Sequence, residues 1–396
     1  MSHWLGAASG VVALAVAACG GGATAGSTTA ATTPSSSLTT SPGVISNPTP
    51  SPTAAPAFIS TGSMSVARSG QSATLLPDGR VLFAGGSGIS GNLASAEVYD
   101  PKAGSFNPTG SMTHAEMGAF GLRLLDGRIL VQSSGGGTAE LYDPKTGTFL
   151  DIGYTLVPHT YQTTTVLADG RVLVAGGIHG AEVNGQPQIQ AVSTAELWDP
   201  KTGKLSPTGS MTTGRRSASA TLLSDGRVLI VGGVSGSSTS TTGGNAVASA
   251  ELYDPKTGLF SPTGSLAAPL YGQTATLLSD GRVLLAGGSD AKKQPLASTE
   301  LYVPSTGEFT QTGSTAGAFG GSVTATLLTD GRVLFAGGGT TAKLYDPKTG
   351  TFTIAGSLTT SRSGHTAILL TDGRVLIAGG SDDKQQPLAS AELYTP

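Results

Sequence analysis

The sequence predicts an all-β protein, a seven-bladed propeller, and three observations carry that prediction. Asp-Gly-Arg recurs at Asp78, Asp126, Asp169, Asp225, Asp280, Asp330 and Asp372, at spacings of 42 to 56 residues. In that range repetition builds propeller blades or solenoid arrays. Each triplet sits in a longer sentence, Leu-Leu-x-Asp-Gly-Arg-Val-Leu-x-Ala-Gly-Gly, followed after a variable gap by Ala-Glu-Leu-Tyr-Asp-Pro-Lys-Thr-Gly or a near variant. Composition agrees: 59 glycines and only 12% charged residues mark a turn-rich β chain.

The N-terminus carries an address. Leu5 to Ala18 is apolar, too short to span a bilayer as a helix but the right size for a signal-peptide core. It ends in Val16-Ala17-Ala18-Cys19, which resembles the lipobox of bacterial lipoproteins. The resemblance implies that residues 1–18 are a signal peptide and that Cys19 is acylated as the first mature residue. Cys19 is the only cysteine, so an intramolecular disulfide does not account for it. The n-region lacks the usual Lys or Arg. From there to residue 57 the chain is almost wholly Gly, Ala, Ser, Thr and Pro, which cannot bury a core and predicts a disordered tether. Such a coil reaches on the order of 30 to 35 Å. The expected location is the bacterial cell envelope, lipid-anchored and outside the cytoplasm, with the membrane as one partner.

Residues 58–396 hold the repeats. Leu-Leu, then Asp-Gly, then Arg-Val-Leu predicts a hairpin, because Asp-Gly supplies the positive φ of a tight turn. The third strand is Ala-Glu-Leu-Tyr-Asp, at Glu97, Glu140, Glu196, Glu251, Glu300 and Glu392, with Lys343 in copy six. Pro-Lys-Thr-Gly then turns the chain into a short fourth strand such as Thr148-Phe149. Four antiparallel strands make one blade. Copy seven ends at Pro396 before a fourth strand, while Phe58-Ile59-Ser60-Thr61-Gly62-Ser63-Met64 matches the fourth strand of copy one, Phe106 to Met112. The N-terminal strand is therefore expected to complete the last blade and close the ring, protecting its edges.

The Gly-Gly pair and the downstream Tyr-Asp-Pro segment, repeated in register, resemble the kelch repeat of bacterial relatives of the galactose oxidase central domain. The Gly-His and Trp-Asp signatures of a WD40 propeller do not recur from copy to copy. The resemblance puts the small-residue strands, such as Ser72-Ala73-Thr74 and Ser219-Ala220-Thr221, nearest the axis. It also bears on chemistry. Copper radical oxidases with this propeller need a cysteine cross-linked to a tyrosine, and Cys19 lies outside the blades, so no cofactor is expected.

Residues just before each inner strand are the candidate site. Aligning copies on Asp-Gly-Arg brings Arg68, Glu116, His159, Arg215, Leu270, Gly320 and Arg362 to one position. Three residues on stand Gln71, Ala119, Gln162, Ala218, Gln273, Val323 and His365. A mouth ringed by Arg, Gln and His would suit a carboxylate or sugar; the other reading of the arginines is structural, pairing with the third-strand Glu. Arg80 and its equivalents are expected to pair with Asp100 and its equivalents. His114, Glu116, His159 and His179 lack the short spacing of a metal site. The loop after Gly-Gly is longest in copies three and four, 19 and 18 residues against 5 in copy six, and is a candidate partner surface. With 22 basic against 25 acidic residues, nothing favours nucleic acid. The expectation is a noncatalytic module that recognises a glycan or protein through the loop face. The alternative is an enzyme on an acidic sugar, with Glu116 or His159 as acid/base.

Overall fold

The computed structural model describes residues 57–116, 118–133, 138–153, 160–183, 186–238, 243–315, 317 and 323–396. The expected signal peptide, Cys19 and the expected tether lie outside the described residues, apart from Ala57. No helix is long and apolar enough to cross a membrane among the described residues.

Seven four-stranded antiparallel sheets form the body, one per repeat. Their inner strands are Ser72–Leu75, Ala119–Arg123, Thr163–Val166, Ser219–Leu222, Thr274–Leu277, Thr324–Leu327 and Thr366–Leu369. Each inner strand lies beside that of the next sheet, and the seventh lies beside the first, so the ring closes. The seam is built as the repeat arithmetic requires. Ala57–Ser60 pairs antiparallel with Ala391–Thr395, with Phe58 opposite Tyr394 and Ser60 opposite Glu392.

Packing explains the sequence pattern of the second strands. Val81–Ala84 and its equivalents are buried along their whole length, because both faces of each sheet meet a neighbour. They therefore read as continuous apolar runs, without the alternation of a half-exposed strand. The core is correspondingly divided. Each of seven apolar clusters lies between two adjacent sheets, such as Leu167, Leu173 and Leu197 of copy three against Val228, Ile230 and Tyr253 of copy four.

The Asp-Gly-Arg hairpin differs in detail from expectation. Leu76 accepts from the Gly79 amide at 3.1 Å and donates to the Arg80 carbonyl at 2.8 Å, a three-residue loop in which only Gly79, at φ 88°, takes the left-handed conformation. This is a type I turn with a glycine bulge, not the primed two-residue turn. Nor does Arg80 pair with Asp100. Its guanidinium meets Asp78 at 2.7 Å, two residues away on the same turn, and the same local pair forms in all seven copies. The turn fixes Asp and Arg side by side, so the local pair forms without ordering a cross-strand one. Asp100 instead accepts the Lys102 amide at 2.8 Å and shapes the Pro-Lys turn.

Sheets are pinned to one another by a repeated contact. A threonine at or just beyond the end of an outer strand meets the third-strand tyrosine of the next sheet, as in Thr61–Tyr99, Thr109–Tyr142, Thr208–Tyr253, Thr263–Tyr302 and Thr312–Tyr345, at 2.8 to 3.0 Å. Beside it, Gly209 and its equivalents donate to a turn carbonyl of the next sheet, at a place where a Cβ would collide with that oxygen. At the opposite edge of the turn, Arg374 reaches the Pro101 carbonyl at 3.3 Å and ties copy seven to copy one.

Candidate functional site

Two sets of connections gather at one end of the ring: the loops after Gly-Gly and the segments that lead into the inner strands. The second set carries most of the residues the sequence singles out, and burial decides their roles.

Arg68, Arg215 and Arg362 are interior ion pairs. Each is at most 1% exposed. Arg68 meets Glu97 at 3.0 Å, Arg215 meets Glu251 at 2.8 Å and Arg362 meets Glu392 at 2.8 Å. Each also donates to the first carbonyl of Gly-Gly and to a serine two residues before the Glu, as Arg68 does to Gly85 and Ser95. Burial pulls these guanidiniums below their usual pKa and the carboxylates pull back. The Glu completes the device: Glu97 accepts the amides of Ser65 and Val66, on the connection arriving from the previous sheet. These forks are committed to the protein, so none is offered to a ligand at the mouth.

Copies without the arginine show the cost of its absence. Copy five has Leu270 in that place, and burial raises the pKa of Glu300, opposed by the Ala267 amide. Burial likewise raises Glu196 in copy three, where His159 lies outside the described residues. In copy two Glu116 fills the arginine slot and accepts the hydroxyl of Thr138, which stands where Ser95 stands in copy one. With its carboxylate held there and the three arginines buried, Glu116 gains no partner for handling an acidic sugar.

The series three residues on spans sheet junctions. Gln71 Nε2 donates to the Ala378 carbonyl at 2.9 Å, and Gln273 Nε2 to the Val231 carbonyl at 2.9 Å, each on the preceding sheet. His365 Nε2 lies 3.0 Å from Thr324 Oγ1. Thr324 donates to the Ala336 carbonyl, so its oxygen accepts from His365 Nε2–H. Burial, and secondarily the Arg362 charge, push the His365 pKa down to about 3, and the ring is neutral. Gln162 is buried with neither amide atom hydrogen-bonded among the described residues.

Sequence reasoning missed the lip between these two series. Gly70, Gly118, Tyr161, Ser217, Gly272 and Gly364 occupy one position, all with φ between 51° and 67°. They link copy to copy: Gly70 N–H donates to the Gly364 carbonyl at 2.8 Å, Ser217 to Tyr161 at 2.9 Å and Gly272 to Ser217 at 3.3 Å. Four glycines in this place were a visible signal; the tyrosine and serine hid it. Above the lip, Ile178–Val183 and Gln186–Ala191 of copy three form a hairpin, and its second strand pairs with Ser237–Ser238 of copy four. Thr160 bridges to Ile178, so this raised sheet stands directly beside the lip.

Residues 215–266 match the kelch motif. No curated protein matches the sequence significantly. Among solved structures, a fungal alcohol oxidase of the AA5 family, determined with copper, superposes with a TM-score of 0.64 at 16% identity, covering 86% of this chain and 76% of the oxidase. This finding overturns the expectation that the chain is not an enzyme: the same scaffold carries catalysis in that oxidase, so the fold gives no ground for denying it here. At that identity the likeness is one of fold. Copper itself fits poorly, since no three His, Cys, Asp or Glu gather as ligands among the described residues. No step through copper follows. The ring of four-stranded sheets is therefore a β-propeller fold that carries a kelch motif at residues 215–266 and is shared with that oxidase.

Proposed function

We propose that this chain is a recognition module of the bacterial cell envelope, held by a lipid on Cys19 and presenting its Gly-Gly loop face to a glycan or a protein. The lipobox and the charge-free stalk support the tether. The observation that carries the recognition reading is the raised sheet of copies three and four. A long loop with no role would stay solvated, whereas this one is ordered into strands and tied across two repeats. Binding residues concentrate on such connections because a rigid scaffold holds them in place. The Asp-Gly-Arg end offers less, since its charged side chains pair with one another on every turn.

The test uses the full chain in a bacterial host. The protein should fractionate with membranes and Cys19→Ser should release it. Replacing residues 178–191 by a short Gly-containing turn should abolish capture of envelope glycans or proteins and leave Tm nearly unchanged. Capture that survives the replacement rules out the loop face as the recognition surface.

A further inference from the structure

The lip of the ring holds side chains that the fold does not ask for. Copies one, two, five and seven place glycine at the left-handed position, where no Cβ is strained. Copy three places Tyr161 there, at φ 59°, an outlier for a bulky residue. Strain of this kind persists where surrounding structure over-determines it and clusters at ligand clamps. One position earlier, copies one and seven have Ser69 and Ser363, whereas copies four and five have Arg216 and Tyr271. The backbone bonds from Ser217 to Tyr161 and from Gly272 to Ser217 bring these three departures side by side.

We propose that Tyr161, Arg216 and Tyr271 form the floor of a site for an acidic saccharide, the tyrosine rings taking the apolar face of a sugar and the guanidinium its carboxylate. The inference rests on the loop-face reading and names its ligand class. Arg216 is 6% exposed, and its Nη2 donates to the Gly243 carbonyl, which fixes the plane of the fork. Its charge acts on both tyrosines. Burial raises the Tyr271 pKa and Arg216 pulls it back, which keeps that hydroxyl neutral at physiological pH. Asp290 is the acidic group beside Tyr271, and its Oδ1 is occupied by the amides of Lys292 and Gln294. The copy-three hairpin rises beside this floor from Ile178. Tyrosine and arginine are the side chains that anchor interfaces at low entropic cost, and a planar fork on a carboxylate adds a geometric requirement that a point charge lacks.

Titration calorimetry on the full chain tests the site, with trigalacturonic acid as probe, neutral galactotriose as its control and hexaglutamate as an acidic peptide. Trigalacturonic acid should bind at least about tenfold tighter than galactotriose, with affinity falling as salt rises. Arg216→Lys and Tyr271→Ala should each weaken it about tenfold. Tyr161→Gly should weaken it similarly without lowering Tm, which a merely structural tyrosine would not do. Equal binding of galactotriose or hexaglutamate, or unchanged affinity in all three variants, overturns the site. Loss of trigalacturonic acid binding in these variants but not on shortening residues 178–191 keeps the floor and removes the raised sheet from the reading. A ligand lost on shortening but indifferent to the three variants does the opposite.

Discussion

His365 shows how one residue type changes meaning with its surroundings. A lone histidine near a propeller mouth reads as a ligand, yet here it performs the junction role of Gln71 and Gln273, facing the preceding sheet through Thr324. Its Nδ1 has no donor to accept from among the described residues, which costs little while the ring is neutral. Protonation would bury a second positive charge beside Arg362. With the folded pKa pushed down to about 3 and the unfolded value near 6.5, the contribution to stability is fully present above pH ~6.5 and is lost as pH falls toward 3. The unfolded chain takes up the proton first, at a limiting slope of about 1.4 kcal/mol per pH unit. His365→Gln should keep the fold, donate to the Ala336 carbonyl as Gln71 does to Ala378, and remove this slope between pH 6.5 and 5. Chemical denaturation across that interval measures it; identical slopes in the two proteins would mean that the wild-type ring is protonated when folded. The buried pairs carry the same lesson. The sequence offered two readings of Arg68, a ligand fork or a partner for the third-strand Glu, and only its burial beside Glu97 decides for the pair. Tyr161 and Arg216 were not legible at all, because a positive φ at tyrosine leaves no mark on residue type.

Strands were the legible elements and junctions were not. Leu-Leu, Asp-Gly and Arg-Val-Leu announce a hairpin by local chemistry alone, so every inner and second strand falls where the repeat puts it. The contacts between copies depend on residues some 30 to 50 positions apart, such as Thr208 and Tyr253, which no local pattern joins. Seen as junctions, the departures from the repeat become intelligible. Five junctions use Thr with Tyr. At the junction of copies two and three Ile152 replaces Thr and Trp198 replaces Tyr, an apolar exchange that leaves Trp198 Nε1 without a partner among the described residues. At the junction of copies six and seven only one side has changed: Ala355 replaces Thr, and the Tyr394 hydroxyl is buried without a partner among the described residues. Restoring the pair by Ala355→Thr should stabilise the protein by about 1 kcal/mol, the net worth of one hydrogen bond plus relief of a stranded hydroxyl. The added atoms have a precedent at five other junctions. Tyr394→Phe in the Ala355 background should be near neutral, and in the Ala355→Thr background should cost what the threonine gained. Additive effects in this cycle would show that the two side chains do not interact.

For the whole molecule, the question is what keeps a ring of sheets from opening. Each sheet buries apolar surface only against its two neighbours, so the seam between copies seven and one must be as strong as the rest or the ring unzips from there. Two devices meet at it. Ala57–Ser60 completes the last sheet, with Phe58 packed on Tyr394 on the face turned to copy six, and the cluster of Met64, Phe83, Tyr99, Leu376 and Leu393 fills the interface with copy one. Removing residues 57–60 leaves the edge of Ala391–Thr395 unpaired, a template for strand addition from another copy. The shortened protein should melt at least a few degrees lower and form dimers by exchange of edge strands. The register supplies the rescue: Ala57 faces Thr395, so appending a short Asn-Gly turn and residues 57–60 after Pro396 rebuilds the same strand as a hairpin. Size-exclusion chromatography and thermal melting of the three proteins decide the matter. A monomer of unchanged Tm after the deletion would mean that side-chain packing alone holds the seam. Recovery of the monomer on appending the strand would show that the strand, and not the direction from which the chain enters it, closes the ring.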